Sequence, residues 1–175
     1  MRDLPDGVIV IGFGGNVGGD AAVLDRFARA RAALAAWGSV RGSAVVRTAP
    51  VGGPAGQPDF LNAAVAVAAD SPAPRPRELL AIVVEIERLL GRDRAREVRD
   101  GPRPIDLDVL LWGTRIFDAD GLVVPHPRLA GRRFALAPIL DLLGDELVIP
   151  GTERTARELY ASLVDQRIEP TAHRI

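Results

Sequence analysis

The order in which two kinds of hydrophobic periodicity follow one another constrains the fold of this chain most. Four segments have the apolar runs or the period-two alternation of strands: 8–13, 39–46, 60–69 and 105–111. Two segments have apolar residues at the spacing of an amphipathic helix: 20–37 and 77–90. This order of strand, helix, strand, strand, helix, strand predicts an α+β fold of the ferredoxin-like βαββαβ kind, with helices packed on an antiparallel sheet.

The residues that follow predict a C-terminal extension of this fold. A hairpin is expected across 116–124, and a helical stretch interrupted by Pro138 across 132–143. A last helix is expected over 155–164.

Length and composition limit the class of protein. With 175 residues, 47% of them hydrophobic, we expect a single domain over 1–175 with loose ends at about 1–6 and 166–175. The formal charge of −1 disfavours nucleic acid and anionic membranes as partners. The chain has no cysteine, which excludes disulfides and thiolate catalysis, and no apolar run of about 18 residues that predicts a membrane span. We therefore expect a cytoplasmic monomer that acts on small molecules.

Two aspartates stand out in the strand 105–111. Asp106 and Asp108 alternate with apolar residues, so both carboxylates lie on one face of the strand. At a rise of about 3.3 Å per residue their Cα atoms lie roughly 6.6 Å apart, close enough to share divalent cations. Neighbouring carboxylates repel each other unless a metal or arginines neutralise them. A strand face turned to water also explains the pair, and for two aspartates alone it is the commoner arrangement.

A polar segment rich in arginine precedes this strand. Its arginines are Arg92, Arg94, Arg96, Arg99 and Arg103. Oxygen ligands suit Mg²⁺ and guanidinium groups suit phosphate charge. The combination therefore indicates Mg²⁺-dependent phosphoryl chemistry.

Three other features bear on ligand binding. The glycine-rich segment 14–19 is not a P-loop, because the chain has no lysine, and Val17 stands where the dinucleotide-binding pattern needs glycine. The loop 48–58 is longer than a hairpin needs and is typical of a binding loop. Asn62, in an otherwise apolar strand, is either exposed at a sheet edge or an amide that hydrogen-bonds a heterocycle.

Four segments of the chain carry a resemblance to a known family: 47–52, 57–65, 99–110 and 124–129 with 132–134. In the family's order and spacing they cover residues 8 to about 150. They resemble 6-hydroxymethyl-7,8-dihydropterin pyrophosphokinases of the folate pathway. The resemblance implies transfer of pyrophosphate from the co-substrate ATP to the hydroxymethyl group of the dihydropterin, with release of AMP.

The resemblance also implies roles for the charged residues. Asp106 and Asp108 would hold two Mg²⁺ ions. The catalytic arginines would be Arg92, Arg94, Arg96 and Arg103, of which either Arg94 or Arg96 swings in from the loop. The residues that bind ATP would be Glu87, Arg92, Arg103, His126 and Arg132.

The pterin ring would stack between Phe60 and Phe134 on this resemblance. Asn62 and the backbone of Thr48, Pro50 and Val51 would bind its pyrimidine edge. These roles give the polar Asn62 a function within its apolar strand.

The chain departs from the family pattern at Ala49, Gly15 and Asp100. Ala49 replaces a proline in the pterin loop, Gly15 replaces a serine, and Asp100 takes a position that is aromatic in some members. A catalytically weak pterin- or nucleotide-binding protein of the same fold therefore stays open as an alternative. A nucleotide-sugar transferase or a metal-dependent phosphatase is disfavoured by the small size and the missing Rossmann-type glycine pattern.

Overall fold

The computed structural model describes residues 2–70 and 73–175 of the chain. Its elements are, in order, β1 (Val8–Gly15), α1 (Gly19–Leu34), β2 (Gly38–Gly42), β3 (Ala44–Thr48), β4 (Phe60–Ala69), α2 (Pro76–Leu89), β5 (Asp106–Trp112), β6 (Phe117–Ala119), β7 (Leu122–Val124), α3 (Arg133–Leu143), β8 (Val148–Ile149), β9 (Arg154–Thr155), α4 (Ala156–Ala161) and β10 (Glu169–Arg174). Short 3₁₀ turns cover Ala35–Trp37 and Leu129–Gly131.

An antiparallel sheet forms the centre of the molecule. Within the described ranges its strands run in the order β10-β3-β4-β1-β5, and β2 is a further partner of β4. Adjacent strands are antiparallel throughout. The predicted α+β class and antiparallel sheet are confirmed, and β6 and β7 form the predicted hairpin.

Helices cover both faces of the sheet. Helices α1 and α2 bury residues such as Phe27 and Val83 against Ile9 and Ile11 of β1. The opposite face is covered by α3 and α4, which belong to a second cluster of buried side chains. The central strands therefore carry apolar residues on both faces. No helix within residues 2–70 and 73–175 is both long and apolar enough to cross a membrane.

The segment predicted as one strand over 39–46 forms two strands, β2 and β3, interrupted at Ser43. The Ser43 N–H donates to Ala64 O at 2.9 Å, and Ser43 Oγ accepts from the Ala64 N–H at 2.9 Å. Ser43 is fully buried, so its side chain replaces the ladder hydrogen bond that the interruption removes.

Strand β5 contains a bulge that the simple alternation did not anticipate. The register with β1 shifts between Val10 and Ile11, so that Val10 pairs with Leu111 and Ile11 pairs with Val109. Leu111 was expected on the face of Val109, but it lies with Leu110 in the core beneath α3 and α4. A bulge inserts one extra residue, so every later side chain of the strand lies on the opposite face of the sheet from the one that simple alternation predicts.

The expectation of a loose C-terminal end is wrong for the last strand. Residues Glu169–Arg174 form β10, which pairs with β3 at the edge of the sheet. The Asp141 carboxylate fastens this strand, since it accepts two hydrogen bonds of 3.0 Å from Arg174 and one of 2.9 Å from the Ala44 N–H. Most side chains of β10 are exposed, so an edge strand of this kind has no alternation to detect.

The N-terminal end is also attached to the domain rather than loose. Met1 lies outside the described residues. Arg2 forms an isolated parallel bridge with Leu147, and Leu4 is buried in the core beneath α3 and α4. These contacts join residues far apart in the sequence, which local patterns do not show.

Candidate active site

Glycines of the central strand form the floor of the candidate site. Gly14 of β1 pairs with Asn62 of β4 on one side and with Asp106 of β5 on the other, and Gly12 pairs with Asp108. Paired residues on neighbouring strands point to the same face of a sheet. With strands spaced about 4.8 Å apart, the amide and the first carboxylate arise roughly 10 Å from each other. The floor between them carries no side chain.

A cavity of about 730 Å³ lies above this floor. It is lined by most residues predicted to bind the pterin: Thr48, Val51, Phe60, Asn62 and Phe134. It is also lined by most residues predicted to bind phosphate or metal: Arg92, Arg94, Arg103, Asp106, Asp108 and Arg132. The fold therefore brings both predicted sets together in one space.

Asp106 is neutralised by two arginines. Its Oδ1 accepts a hydrogen bond from Arg92, and its Oδ2 accepts one from Arg103 Nη1 at 3.0 Å. Burial raises the pKa of Asp106, but the charges and hydrogen bonds of Arg92 and Arg103 outweigh it and hold the pKa below its ordinary value. Asp106 is therefore ionised, and its carboxylate is held in one orientation by the two arginines.

Glu87 of α2 fixes this arrangement from below. It is 1% exposed, and its Oε1 accepts from the Leu107 N–H at 2.7 Å and from Arg92 at 2.5 Å. Its Oε2 accepts from Arg94 Nη2 at 2.6 Å. Arg92 in turn donates to both oxygens of Glu97. The backbone between the two aspartates is thus attached directly to helix α2.

Asp108 has a weaker set of partners than Asp106. Among the described residues, the nearest basic nitrogen atoms are Arg132 Nη1 at 3.6 Å and His126 Nε2 at 3.8 Å, and the latter is cationic only when the ring is protonated. Burial and the charge of Asp106 raise the pKa of Asp108, and the charges of Arg132 and Arg128, together with that of His126 when it is protonated, offset this only in part. Asp108 therefore carries an incompletely compensated negative charge.

His126 lies next to the end of β5 because its backbone N–H donates to Leu110 O at 2.9 Å. Its Nδ1 accepts from the Arg128 N–H at 3.1 Å, so a neutral ring carries its proton on Nε2. Burial lowers the pKa of His126 and outweighs the opposing charge of Asp108. The neutral ring is consequently favoured.

The donor set fits magnesium rather than a metal held by protein atoms alone. Across the part of the chain that the structure describes, no group of three or more His, Cys, Asp or Glu side chains is placed to hold a metal. Two carboxylates are available, and Asp108 lacks a close cationic partner. Mg²⁺ is commonly held by one or two carboxylates together with substrate phosphates and water. Asp106 and Asp108 fit such a site.

Two loops meet beside the cavity. Gln57 Nε2 donates to Gly52 O at 3.0 Å within its own loop and to Asp100 O at 3.1 Å in the arginine-rich loop. Asn16 Nδ2 donates to Pro58 O at 2.9 Å, and Asn16 Oδ1 accepts from the Arg103 N–H at 2.9 Å. Asn16, at the end of β1, thus links the predicted pterin loop with the arginine-rich loop.

Asn62 is buried, which excludes the alternative of a side chain exposed at the sheet edge, while its contact with a heterocycle stays a prediction. Its Nδ2 donates to Thr48 Oγ1 at 2.9 Å. Within residues 2–70 and 73–175, no donor reaches Asn62 Oδ1. Because a buried amide oxygen favours a partner, this atom is suited to accept a hydrogen bond from a ligand in the cavity.

Some predicted residues lie outside the cavity wall. The Arg96 side chain is 88% exposed and lies 3.4 Å from Asp93, whereas Arg94 lines the cavity. Pro50 and His126 do not line the cavity, and Glu87 is buried beneath it. The predicted contact of Glu87 with the ATP ribose stays a prediction.

Sequence reasoning gave no role to three residues that shape the site: Asn16, Arg128 and Gln166. Arg128 and Gln166 line the cavity, and Asn16 joins the loops. Asn16 follows the glycines at the end of β1, and Arg128 follows the Pro-His-Pro segment, so both lie next to noted motifs. Gln166 lies in a polar segment without periodicity, which provided no signal.

Comparison with curated proteins gives several relatives. The chain is 41% identical over 160 residues to the 2-amino-4-hydroxy-6-hydroxymethyldihydropteridine pyrophosphokinase of Methylorubrum extorquens, covering 91% of this chain and 95% of that protein. It is 39% identical over 140 residues to a folate synthesis bifunctional protein of Arabidopsis thaliana, covering 79% of this chain and 27% of that protein. The chain spans between 15% and 27% of the length of such plant and fungal relatives.

Among solved structures, the wild-type HPPK-DHPS of Plasmodium falciparum with pteroate shares the fold. Its TM-score is 0.66 at 13% identity, and the match covers 94% of this chain and 45% of that one. A family model described as 7,8-dihydro-6-hydroxymethylpterin-pyrophosphokinase (HPPK) matches residues 10–144. The resemblance drawn from the motifs is therefore confirmed, and the chain belongs to the HPPK family.

Proposed function

We propose that this protein catalyses Mg²⁺-dependent transfer of pyrophosphate from ATP to 6-hydroxymethyl-7,8-dihydropterin in folate synthesis. The observation that carries the proposal is the single cavity in which an amide and two aromatic rings share a glycine floor with two carboxylates and several arginines. Such a space suits a flat heterocycle at one side and a triphosphate at the other.

The pterin binds on the β4 side of the floor. Phe60 and Phe134 both line the cavity and provide flat apolar surfaces for stacking. Asn62 Oδ1 accepts a hydrogen bond from the ring's N–H groups, and Thr48 Oγ1 keeps the amide oriented. Val51 closes this side from the loop, whereas Pro50 does not line the cavity.

Asp106 and Asp108 hold two Mg²⁺ ions on the β5 side. When bound, the metal neutralises charge on the triphosphate and lowers the pKa of the substrate hydroxyl. Arg92 and Arg103 keep Asp106 ionised and oriented before ATP arrives. Asp108 has no hydrogen-bonded cation among the described residues, so bound Mg²⁺ would stabilise its charge more than that of Asp106.

Phosphate charge is bound by arginines that line the cavity. Arg103 and Arg132 are partly buried and are held beside the two aspartates. Arg94 is the mobile member, because half of its side chain is exposed while its guanidinium rests on Glu87. Its place in the cavity wall favours Arg94 over Arg96 as the arginine that swings onto the triphosphate.

The reaction breaks one bond and forms one. The hydroxymethyl oxygen bonds to the β-phosphorus, the bond from this phosphorus to the oxygen bridging the α-phosphate breaks, and AMP leaves with the electron pair. The hydroxyl proton passes to water. Arginines that contact the transferred group stabilise the negative charge that develops during this exchange.

The ferredoxin-like connectivity belongs to the same proposal. The strand order β3-β4-β1-β5, with α1 and α2 on one face, supports it. In this connectivity β2 and β3 together take the place of one strand, and β10 is an added edge.

The test is a product assay with purified protein, ATP, Mg²⁺ and 6-hydroxymethyl-7,8-dihydropterin. We expect AMP and the pterin diphosphate, formed only when all three are present. Asp108→Ala should abolish turnover while pterin still binds in a fluorescence titration. ADP as the nucleotide product would refute the proposal, and binding of both substrates without turnover would favour the catalytically weak binder.

A further inference from the structure

The C-terminal segment forms a reciprocal set of hydrogen bonds with the start of helix α3. Gln166 Oε1 accepts from the Arg133 N–H at 2.9 Å, and Gln166 Nε2 donates to Gly131 O at 2.9 Å. In return, Arg133 Nη1 donates to Gln166 O at 3.0 Å. The Arg133 guanidinium lies 4.3 Å from the centre of the Tyr160 ring. We call these contacts between Gln166 and residues 131–133 the Gln166 clasp.

The clasp supplies a cap that α3 does not provide for itself. The residue before the helix is Arg132, and its side chain makes no capping hydrogen bond. The first N–H groups of a helix have no partner inside the helix and need one from elsewhere. Gln166 meets this need for Arg133 from a segment 33 residues away in the sequence.

The capped turn carries two side chains of the cavity wall. Arg132 lies 3.6 Å from Asp108, and its guanidinium lies 5.5 Å from the centre of the Phe134 ring. These residues flank Arg133, whose side chain is held by the C-terminal segment instead. Fixing the backbone at Arg133 therefore fixes the directions in which Arg132 and Phe134 leave the chain. Gln166 itself also lines the cavity.

We propose that Gln166 is a positioning residue that acts through Arg132 and Phe134 and so affects both substrates at once. The inference rests on the proposed function, in which Arg132 contacts the triphosphate and Phe134 stacks on the pterin. Gln166 lies beyond residues 10–144, the part of the chain that the family model matches. Gln166 would therefore contribute to the geometry of the substrate site from outside the region that the family model matches.

The test compares three variants with the wild type. Gln166→Met removes both side-chain hydrogen bonds and keeps a similar length. Gln166→Glu keeps an acceptor for the Arg133 N–H, with a charge that suits a helix N-terminus, and loses only the donor to Gly131. Arg167→Ala is the matched control, because that neighbouring side chain is exposed and pairs only with Glu169 among the described residues.

We expect Gln166→Met to lower kcat/KM about 10- to 100-fold, since small displacements of positioning groups have effects of this size. The KM values for ATP and for the pterin should both rise. Gln166→Glu should recover much of the loss, and Arg167→Ala should match the wild type. A merely structural role would instead reduce the active fraction, lowering apparent kcat with both KM values unchanged, and that result overturns the inference.

Ligand affinity separates this inference from the proposed function. For the same proteins, calorimetry measures the dissociation constant of α,β-methylene-ATP in the presence of Mg²⁺. Fluorescence measures the dissociation constant of the pterin. If the wild type binds both but forms no AMP, the proposed function fails, and weaker binding of both by Gln166→Met still supports the clasp. Equal affinities in wild type and Gln166→Met overturn it. Absence of binding by the wild type overturns both.

Discussion

The two aspartates of β5 should respond in opposite directions when their charges are removed. Asp106→Asn should destabilise the fold, whereas Asp108→Asn should leave it equally stable or more stable when no metal is present. Both residues lie on one face of one strand, two positions apart. The contrast therefore comes from their partners and not from their secondary structure.

The loss of stability expected for Asp106→Asn follows from two charge-assisted hydrogen bonds. Its donors are Arg92, whose side chain is 5% exposed, and Arg103 at 3.0 Å. Hydrogen bonds to charged groups contribute about 1.5–3 kcal/mol, against about 0.5–1.5 kcal/mol for neutral ones. An asparagine keeps one acceptor oxygen, so Asp106→Asn should lower the free energy of unfolding by about 2 kcal/mol.

The stability change expected for Asp108→Asn has the opposite sign because the negative charge of Asp108 is incompletely neutralised by its neighbours. Among the described residues, no donor lies within hydrogen-bond distance of the Asp108 carboxylate, and the closest cationic nitrogen, Arg132 Nη1, is 3.6 Å away. Because the pKa of Asp108 is raised in the folded state, the folded protein holds this proton more tightly than the unfolded chain, and stability falls as pH rises through that pKa. Asparagine cannot ionise and removes this loss. With the side chain 35% exposed, the gain should not exceed about 1 kcal/mol.

Urea titrations in EDTA, from about pH 4 upward, measure both effects, with Asp118→Asn on the exposed hairpin as the control. The difference between Asp108→Asn and wild type should grow as pH rises. If both variants lower the unfolding midpoint by similar amounts, the assignment of one compensated and one uncompensated carboxylate is refuted. Both variants should lose turnover by orders of magnitude, which separates their shared catalytic role from their different effects on stability.

Three further predictions concern single side chains. Glu87→Ala should lower the free energy of unfolding by about 3–5 kcal/mol, because a buried guanidinium and a strand N–H lose their partner; in urea titrations, a change no larger than that of the exposed Glu85→Ala would contradict this. Phe134→Ala should weaken pterin binding about tenfold or more in fluorescence titrations, and a smaller change would count against stacking. Ser43→Ala should cost about 1–3 kcal/mol through the unpaired N–H in the sheet, and an unchanged unfolding midpoint would disprove it.

The elements that local patterns specify were predictable. The period-two alternation around Asp106 and Asp108 placed both carboxylates on one face, and the structure places both in the cavity wall. The apolar run of β4 was predicted with its observed bounds, and Asn62 was recognised as anomalous. The segments that resemble the family identified the family itself, which the match over residues 10–144 confirms. In each case the signal lies within about a dozen consecutive residues.

Features that depend on contacts between distant segments were not predictable. The bulge at Leu110 depends on the register with β1, and β10 exists because β3 offers it an open edge. Gln166 reaches the helix of Arg133 only once the chain has folded back on itself. The hydrogen bonds that buried Glu87 accepts from Arg92, Arg94 and the Leu107 N–H likewise join α2 to segments that local patterns do not connect with it. None of these has a periodic or compositional signature.

The glycine floor has a consequence for how two substrates share one space. A Cβ at Gly14 would lie 3.5 Å from Asn62 Oδ1 and 3.7 Å from Asp106 Cβ, directly between the amide and the carboxylate. At Gly12, a Cβ would already lie 3.0 Å from the Leu110 side chain. One added methyl group would occupy the floor between the amide and the carboxylate, where the proposed reaction brings the heterocycle and the triphosphate together. The proposed reaction therefore relies on the absence of side chains at Gly12 and Gly14, which leaves the floor of the cavity free for the reacting groups.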